Sequence, residues 1–175
     1  MLHSPEIPDN TGNIGRTCMA TGTRLHLIEP LGFRLSDRAL KRAGMDYWKE
    51  VDCVRYMNYE EFLARCGLRD QGMHSGEPSE HTSPALWYLT TKAERCYSEV
   101  SFGPEDYLMF GRESGGIPEE ILADHKERCI RIPMRSEARS LNLANSVAVV
   151  LYEALRQNGF SGLEKQGALH HLSWK

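Results

Sequence analysis

Short apolar strand patterns alternate with helical patterns along this chain, and that alternation constrains the fold more than any other feature. The patterns predict strands over residues 24–28, 51–56, 86–89, 107–110 and 129–132, and helices over 13–21, 36–42, 59–66, 118–123 and from about 140 to 155. Alternating strands and helices favour an α/β fold with a mostly parallel sheet. We expect one domain over residues 1–159 and a loosely ordered tail over 160–175.

Composition excludes several classes of protein. The 175 residues include five dispersed cysteines with no C-x-x-C pair, which argues against a disulfide framework and a zinc cluster. The longest apolar run, residues 147–151, is too short to cross a membrane, and the first residues lack the pattern of a secretory signal. We therefore expect a cytoplasmic protein with no metal and no membrane contact.

Charge is unevenly distributed, although the net charge is only −3. Basic residues cluster over 31–45 and 128–139, and acidic residues dominate 99–127. Such segregation is compatible with a basic face that binds RNA. It is equally compatible with separate, solvated faces of unrelated helices and strands.

The loop after the predicted strand 107–110 is rich in glycine and is a candidate ligand site. In parallel α/β folds, ligands bind at the carboxyl ends of the strands. Gly111, Gly115 and Gly116 allow backbone amides to approach a ligand, but the loop lacks the G-K-[ST] ending of a P-loop. Glu113 disfavours phosphate and favours a neutral or cationic ligand. A plain tight turn remains the alternative.

Two polar segments at helix starts are further candidates. Ser140 and Asn142 precede an amphipathic helix, and Asn10 to Arg16 enter the first one. Each segment taken alone is also explained by helix capping, since Ser and Asn satisfy free backbone N–H groups there. Only their combination with the loops after Leu89, 110 and 132 suggests one site.

Three motifs, in order, carry a resemblance to a known family. They are P-E-I-P-x-N-T-G-N-I from Pro5, F-G-x-E-x-x-G-I-P from Phe110, and I-x-I-P-M with R-S-L-N-L from Ile130 and Arg139. Together they resemble the SPOUT methyltransferases. Within that superfamily they are most similar to the small tRNA (cytidine/uridine-2′-O)-methyltransferases, the TrmL or YibK-like group, over residues 5–159.

The resemblance implies a C-terminal trefoil knot and S-adenosyl-L-methionine as the cofactor. Matching positions give the expected cofactor contacts, many of them through backbone groups: Leu89, Thr90, Gly111, Glu113, Gly116, Ile132, Met134, Ser140 and Leu141. The family begins with an apolar strand, whereas only Met1 to Ser4 precede Pro5 here, so a shortened first strand is expected. The loop over residues 67–84 is longer than such compact enzymes usually carry.

The implied reaction is methylation of the ribose 2′-hydroxyl of the wobble nucleotide of tRNA, in a homodimer. Arg16 matches the arginine proposed to activate the hydroxyl, while Asn10, Glu113, Ser140 and Asn142 would orient nucleotide and cofactor. Since guanidinium stays protonated, we expect Arg16 to stabilise the developing alkoxide, in its own subunit or in its partner's site. Two alternatives remain: a 2′-O-methyltransferase for another tRNA or rRNA position, and a non-catalytic dimeric RNA-binding module.

Overall fold

A single parallel sheet organises the molecule. The computed structural model describes residues 1–35, 46–68 and 84–175. Within these ranges the sheet order is β3-β2-β1-β6-β4-β7-β5, and every pairing is parallel. The strands are β1 (Leu2–His3), β2 (Leu25–Ile28), β3 (Cys53–Tyr56), β4 (Leu86–Leu89), β5 (Arg95–Cys96), β6 (Tyr107–Phe110) and β7 (Cys129–Arg131).

Local sequence signals explain where the described helices begin and end. These helices are α1 (Pro8–Thr21), α2 (Tyr59–Cys66), α3 (Glu119–Ala123) and α4 (Leu143–Gln157). Proline at the first position suits α1, and Gly22 ends it with a φ of 67°, the left-handed conformation that glycine adopts without strain. The Asn142 side chain caps α4 by accepting a hydrogen bond from the backbone N–H of Asn145 at 3.2 Å.

The sheet separates two hydrophobic cores, because neighbouring strand residues point to opposite faces. Leu27, Trp87 and Phe110 belong to one core, which also contains Ile14 of α1 and Val150 of α4. Their neighbours along the strands, Ile28, Tyr88 and Met109, belong to the other core. That core also contains Phe62 of α2 and Leu122 of α3. The result is a three-layer α/β/α arrangement.

The predicted α/β class with a parallel sheet is confirmed, whereas several predicted boundaries were wrong. Helix α1 begins at Pro8 rather than at residue 13, and β3 begins at Cys53 rather than at residue 51. Pro118 is the N-cap of α3 rather than part of its first turn. The predicted helix over 36–42 and most of the predicted loop over 67–84 lie outside the described residues. The trefoil knot stays a prediction of the resemblance.

The two-residue strand β1 lies inside the sheet rather than at its edge. Leu2 pairs with Leu27 of β2 on one side and with Phe110 of β6 on the other. Two strand residues are therefore enough to join the halves of the sheet, and the sheet is continuous. The short edge strand β5 had no clear pattern in the sequence.

Burial of His26 predicts a pH dependence of stability. This side chain is 7% exposed, and burial lowers its pKa to about 4 from an ordinary value of 6.5. Below about pH 6.5 the unfolded chain therefore binds a proton at His26, whereas the folded chain does not bind it until the pH reaches about 4. Stability should be fully present above pH 6.5 and fall as the pH drops towards 4, by up to about 3 kcal/mol from this group.

Urea unfolding across this pH range measures the effect, with His26→Gln as the comparison. The variant should show a shallower loss of stability on acidification, whatever its stability at neutral pH. An identical pH profile for both proteins would contradict the assignment.

Candidate functional site

A cleft of about 530 Å³ lies where the loops that follow β4, β6 and β7 meet α1 and α4. Its volume is typical of small-molecule sites. Every candidate residue from the sequence except Arg16 lines this cleft: Asn10, Leu89, Thr90, Gly111, Glu113, Gly116, Ile132, Met134, Ser140, Leu141 and Asn142. Carboxyl ends of neighbouring parallel strands share one edge of a sheet, which explains why distant loops converge.

The glycine-rich loop after β6 folds back on itself too tightly for any side chain at its first position. A Cβ on Gly111 would lie 1.9 Å from the backbone carbon of Gly116 and 2.1 Å from the backbone nitrogen of Ile117. The Gly116 N–H donates to the Arg112 carbonyl at 2.8 Å, and Gly116 itself has a φ of 71°. This tightly folded loop forms one wall of the cleft.

Glu113 fastens this loop to the start of α1. Its carboxylate accepts hydrogen bonds from the backbone N–H of Glu6 at 2.8 Å, from that of Ile7 at 3.3 Å and from the Asn10 amide at 2.9 Å. The free N–H groups at a helix start are natural partners for a carboxylate. Glu113 thus acts as a structural anchor in addition to lining the cleft.

Asn10 connects Glu113 to the start of α4. While its amide nitrogen donates to Glu113, its amide oxygen accepts from the Asn142 side chain at 2.9 Å. Asn10 is 7% exposed, so its polar atoms need these partners. Glu113, Asn10 and Asn142 therefore form one hydrogen-bonded chain across three segments of the sequence, which we call the carboxamide chain.

Glu6 and Ser114 strengthen the same junction, and sequence reasoning missed both. The Glu6 carboxylate accepts from the Ser114 hydroxyl at 2.7 Å and from its backbone N–H at 2.9 Å. These hydrogen bonds, the hydroxyl first, hold the Glu6 pKa below its usual value. Glu6 stands in the P-E-I-P motif, which could have signalled it. Further lining residues outside the sequence prediction are Ile7, Thr91, Lys92, Arg112, Arg139, Leu143 and Ser146.

Arg16 lies apart from the cleft of its own chain. It is exposed on α1, and its guanidinium carbon is 4.6 Å from the centroid of the Tyr47 ring. The hydroxyl of Tyr47 donates to the Gly12 carbonyl at 2.8 Å. The structure therefore groups eleven of the twelve candidate residues and leaves Arg16 on another face of α1.

The described ranges contain no group of three or more side chains arranged to hold a metal ion. In the same ranges, none of the helices has the length and apolar character needed to cross a membrane.

Comparison with known proteins places the chain in a family. The model of the SpoU rRNA Methylase family matches residues 1–152. The chain belongs to the SpoU methylase family. Relatives in this family include a tRNA (cytidine(34)-2′-O)-methyltransferase from Yersinia pestis, 46% identical over 164 residues that cover 93% of this chain and 94% of the relative. One from Saccharophagus degradans is 45% identical over 163 residues, 93% of this chain and 96% of the relative.

Solved SpoU-type structures agree with this placement. One that addresses 2-OH methylation of C/U34 on tRNA has a TM-score of 0.76 and 42% identity, covering 90% of this chain and 93% of its own. An AdoMet-bound rRNA methyltransferase from Sinorhizobium meliloti has a TM-score of 0.69 and 25% identity, covering 89% of this chain and 54% of its own.

Gly111→Ala should disrupt the glycine-rich loop of this SpoU protein. The added Cβ would meet backbone atoms at 1.9 and 2.1 Å, and backbone cannot rotate away as a side chain can. We expect a loss of at least about 2 kcal/mol in the free energy of unfolding, measured by urea denaturation. The control is Gly167→Ala, because no described atom lies within 4 Å of a Cβ there. Equal stability of the two variants would contradict this description of the loop.

Proposed function

We propose that this protein transfers a methyl group from S-adenosyl-L-methionine to the ribose 2′-hydroxyl of nucleotide 34 of tRNA. The observation that carries the proposal is the pair of relatives above, whose names state this reaction and which match the chain over 93% of its length. The cleft supports it, because it assembles every residue except Arg16 that the resemblance assigns to this reaction. A tRNA substrate would also place the protein in the cytoplasm.

The residues present in the cleft fit the proposed cofactor. Gly111 permits the tight fold of the loop that lines one side of the cleft, while Leu89, Ile132 and Leu141 supply apolar surface beside polar groups. Apolar walls with a few placed polar groups are the usual lining of small-molecule sites. When bound, the cofactor supplies an electrophilic methyl group. The residues that would hold it are Leu89, Thr90, Gly111, Glu113, Gly116, Ile132, Met134, Ser140 and Leu141.

The protein's own contribution would be orientation and charge. Asn10, Glu113, Ser140 and Asn142 would orient the ribose and the cofactor, and such positioning can lower a barrier by up to about 7–11 kcal/mol in ideal cases. Arg16 would stabilise the developing alkoxide and grip a neighbouring phosphate with its planar fork of donors. Help with proton removal typically adds about 10²–10⁴-fold.

The position of Arg16 supports a homodimer. Arg16 lies outside the cleft of its own chain, so a second copy is the simplest way to bring it to a cleft. Helices α1 and α4 pack together in one chain, and α4 exposes Val149 (40%) and Tyr152 (47%). These apolar side chains favour burial against a partner. We propose that each cleft is completed by the partner's copy of this arginine.

A second candidate function is methylation of a ribose in ribosomal RNA. It is favoured by the family match over residues 1–152, because the name of that family refers to rRNA methylation. Both functions use the same cleft and the same chemistry. They differ only in the RNA, so the product nucleoside decides between them.

The first test measures methyl transfer from labelled cofactor to bulk tRNA and to ribosomal RNA, with the product nucleosides resolved by mass spectrometry. We expect a 2′-O-methylated pyrimidine at position 34 of tRNA. Arg16→Ala should lower kcat on the order of 10²–10³-fold, because one stabilising group is lost. Arg16→Lys should remain strongly impaired, since lysine lacks the planar fork. Near-normal turnover of the lysine variant would contradict the fork geometry, and a product in rRNA alone would favour the second candidate.

Subunit mixing tests whether Arg16 acts across the dimer. Chains carrying Arg16→Ala are co-expressed with chains inactivated in the cleft by Asn142→Ala. Random pairing makes half of the dimers mixed, and each mixed dimer holds one complete site if Arg16 acts on its partner. Activity should then return to about a quarter of the wild-type value. No recovery above the single variants, despite confirmed mixed dimers, would show that Arg16 acts within its own chain.

A further inference from the structure

The 3₁₀ turn Asp46–Glu50 is packed against the face of α1 that carries Arg16. The Tyr47 hydroxyl donates to the backbone carbonyl of Gly12 at 2.8 Å, one turn before Arg16. Trp48 packs on the neighbouring Gly15 so closely that a Cβ there would lie 2.7 Å from the indole ring. The turn is thus fixed to α1 at two points in the helical turn that precedes the arginine.

Beside these two contacts, the aromatic ring of Tyr47 meets the guanidinium of Arg16. The guanidinium carbon is 4.6 Å from the ring centroid, well within the range of a cation–π interaction. Within residues 1–35, 46–68 and 84–175, no carboxylate forms an ion pair with Arg16. An exposed arginine is therefore held by an aromatic ring instead of by an acid.

The difference matters for an arginine that has to bind an oxyanion. A carboxylate would occupy the planar N–H fork and neutralise the charge, whereas an aromatic ring contacts only the flat face of the guanidinium. A ring that meets the guanidinium in this way does not take up its five N–H donors as hydrogen-bond partners. The side chain is also restrained before substrate arrives, so less rotamer freedom is lost on binding.

We propose that Tyr47 is a positioning residue for Arg16, which it holds by its ring in an orientation that leaves the guanidinium donors available to the RNA. This inference rests on the proposed function, in which Arg16 stabilises the developing charge on the ribose oxygen. The hydroxyl of Tyr47 fixes the ring to α1, and the ring fixes the arginine. Tyr47 does not line the cleft, so its effect on the reaction passes through Arg16.

The experiment compares Tyr47→Leu and Tyr47→Phe by steady-state methylation of tRNA and by calorimetric binding of the cofactor. Tyr47→Leu should lower kcat by about tenfold, because the ring is lost, with cofactor affinity unchanged. Tyr47→Phe keeps the ring and should retain most of the activity. The matched control is Tyr97→Leu, which removes another partly buried tyrosine from a 3₁₀ turn away from Arg16 and should leave kcat near the wild-type value.

A double-mutant cycle separates positioning from a general structural role. In an Arg16→Ala background, Tyr47→Leu should cause little further loss, since the group it positions is absent. A full, additive loss in that background would overturn the proposal, as would wild-type activity of Tyr47→Leu itself. Inactive wild-type protein, or a fully active Arg16→Ala variant, would instead refute the proposed function or the role of Arg16.

If Tyr47→Leu does not fold, phenylalanines of increasing fluorination installed at position 47 keep the ring's shape and weaken its attraction for cations. The value of kcat should then fall stepwise with each added fluorine while the melting temperature stays constant. A flat series would overturn the proposal.

Discussion

The carboxamide chain of Glu113, Asn10 and Asn142 is the interaction on which the site depends. It joins the start of α1 to the glycine-rich loop after β6 and to the start of α4, both of which lie more than one hundred residues further along the sequence. Asn10 is buried and uses its donor for one neighbour and its acceptor for the other. Because each member satisfies the next, removal of one leaves a polar group without its partner, and the cleft loses the alignment of two helix starts.

The proposed functional residues lie in two places, the cleft and the face of α1 that carries Arg16. Parallel strands bring the loops after β4, β6 and β7 to one edge of the sheet, where they form the cleft. Helix α1 leaves that edge with Asn10 in the cleft and carries Arg16 to another face, where Tyr47 holds it. Helix α1 therefore contributes both to the proposed cofactor cleft, through Asn10, and to the proposed stabilisation of charge, through Arg16. In the proposed dimer, the Arg16 of one chain would meet the cleft of the other.

Sequence patterns predicted the parts of this arrangement that depend on local periodicity or on motifs. The strands over 86–89 and 107–110 and the helix over 59–66 were predicted with the bounds that the structure has, since each shows a clear pattern between turn residues. Helix α1 was predicted too short, because its first five residues contain Pro8, Asn10 and Gly12, which taken alone indicate a turn. The contacts Glu6–Ser114 and Arg16–Tyr47 could not be predicted, since they join residues far apart in sequence and neither shows a periodic signal. The trefoil knot stays a prediction of the resemblance, since nothing in the periodicity indicates one.

A double-mutant cycle on Asn10 and Glu113, followed by calorimetric binding of S-adenosyl-L-methionine, tests the central claim most directly. If the carboxamide chain aligns the cleft, Asn10→Ala and Glu113→Ala should each weaken binding, and the double variant should be little worse than either single one. Glu120→Ala, an exposed carboxylate in the following helix, serves as the control and should bind normally. Additive losses, or normal binding by both single variants, would contradict the account.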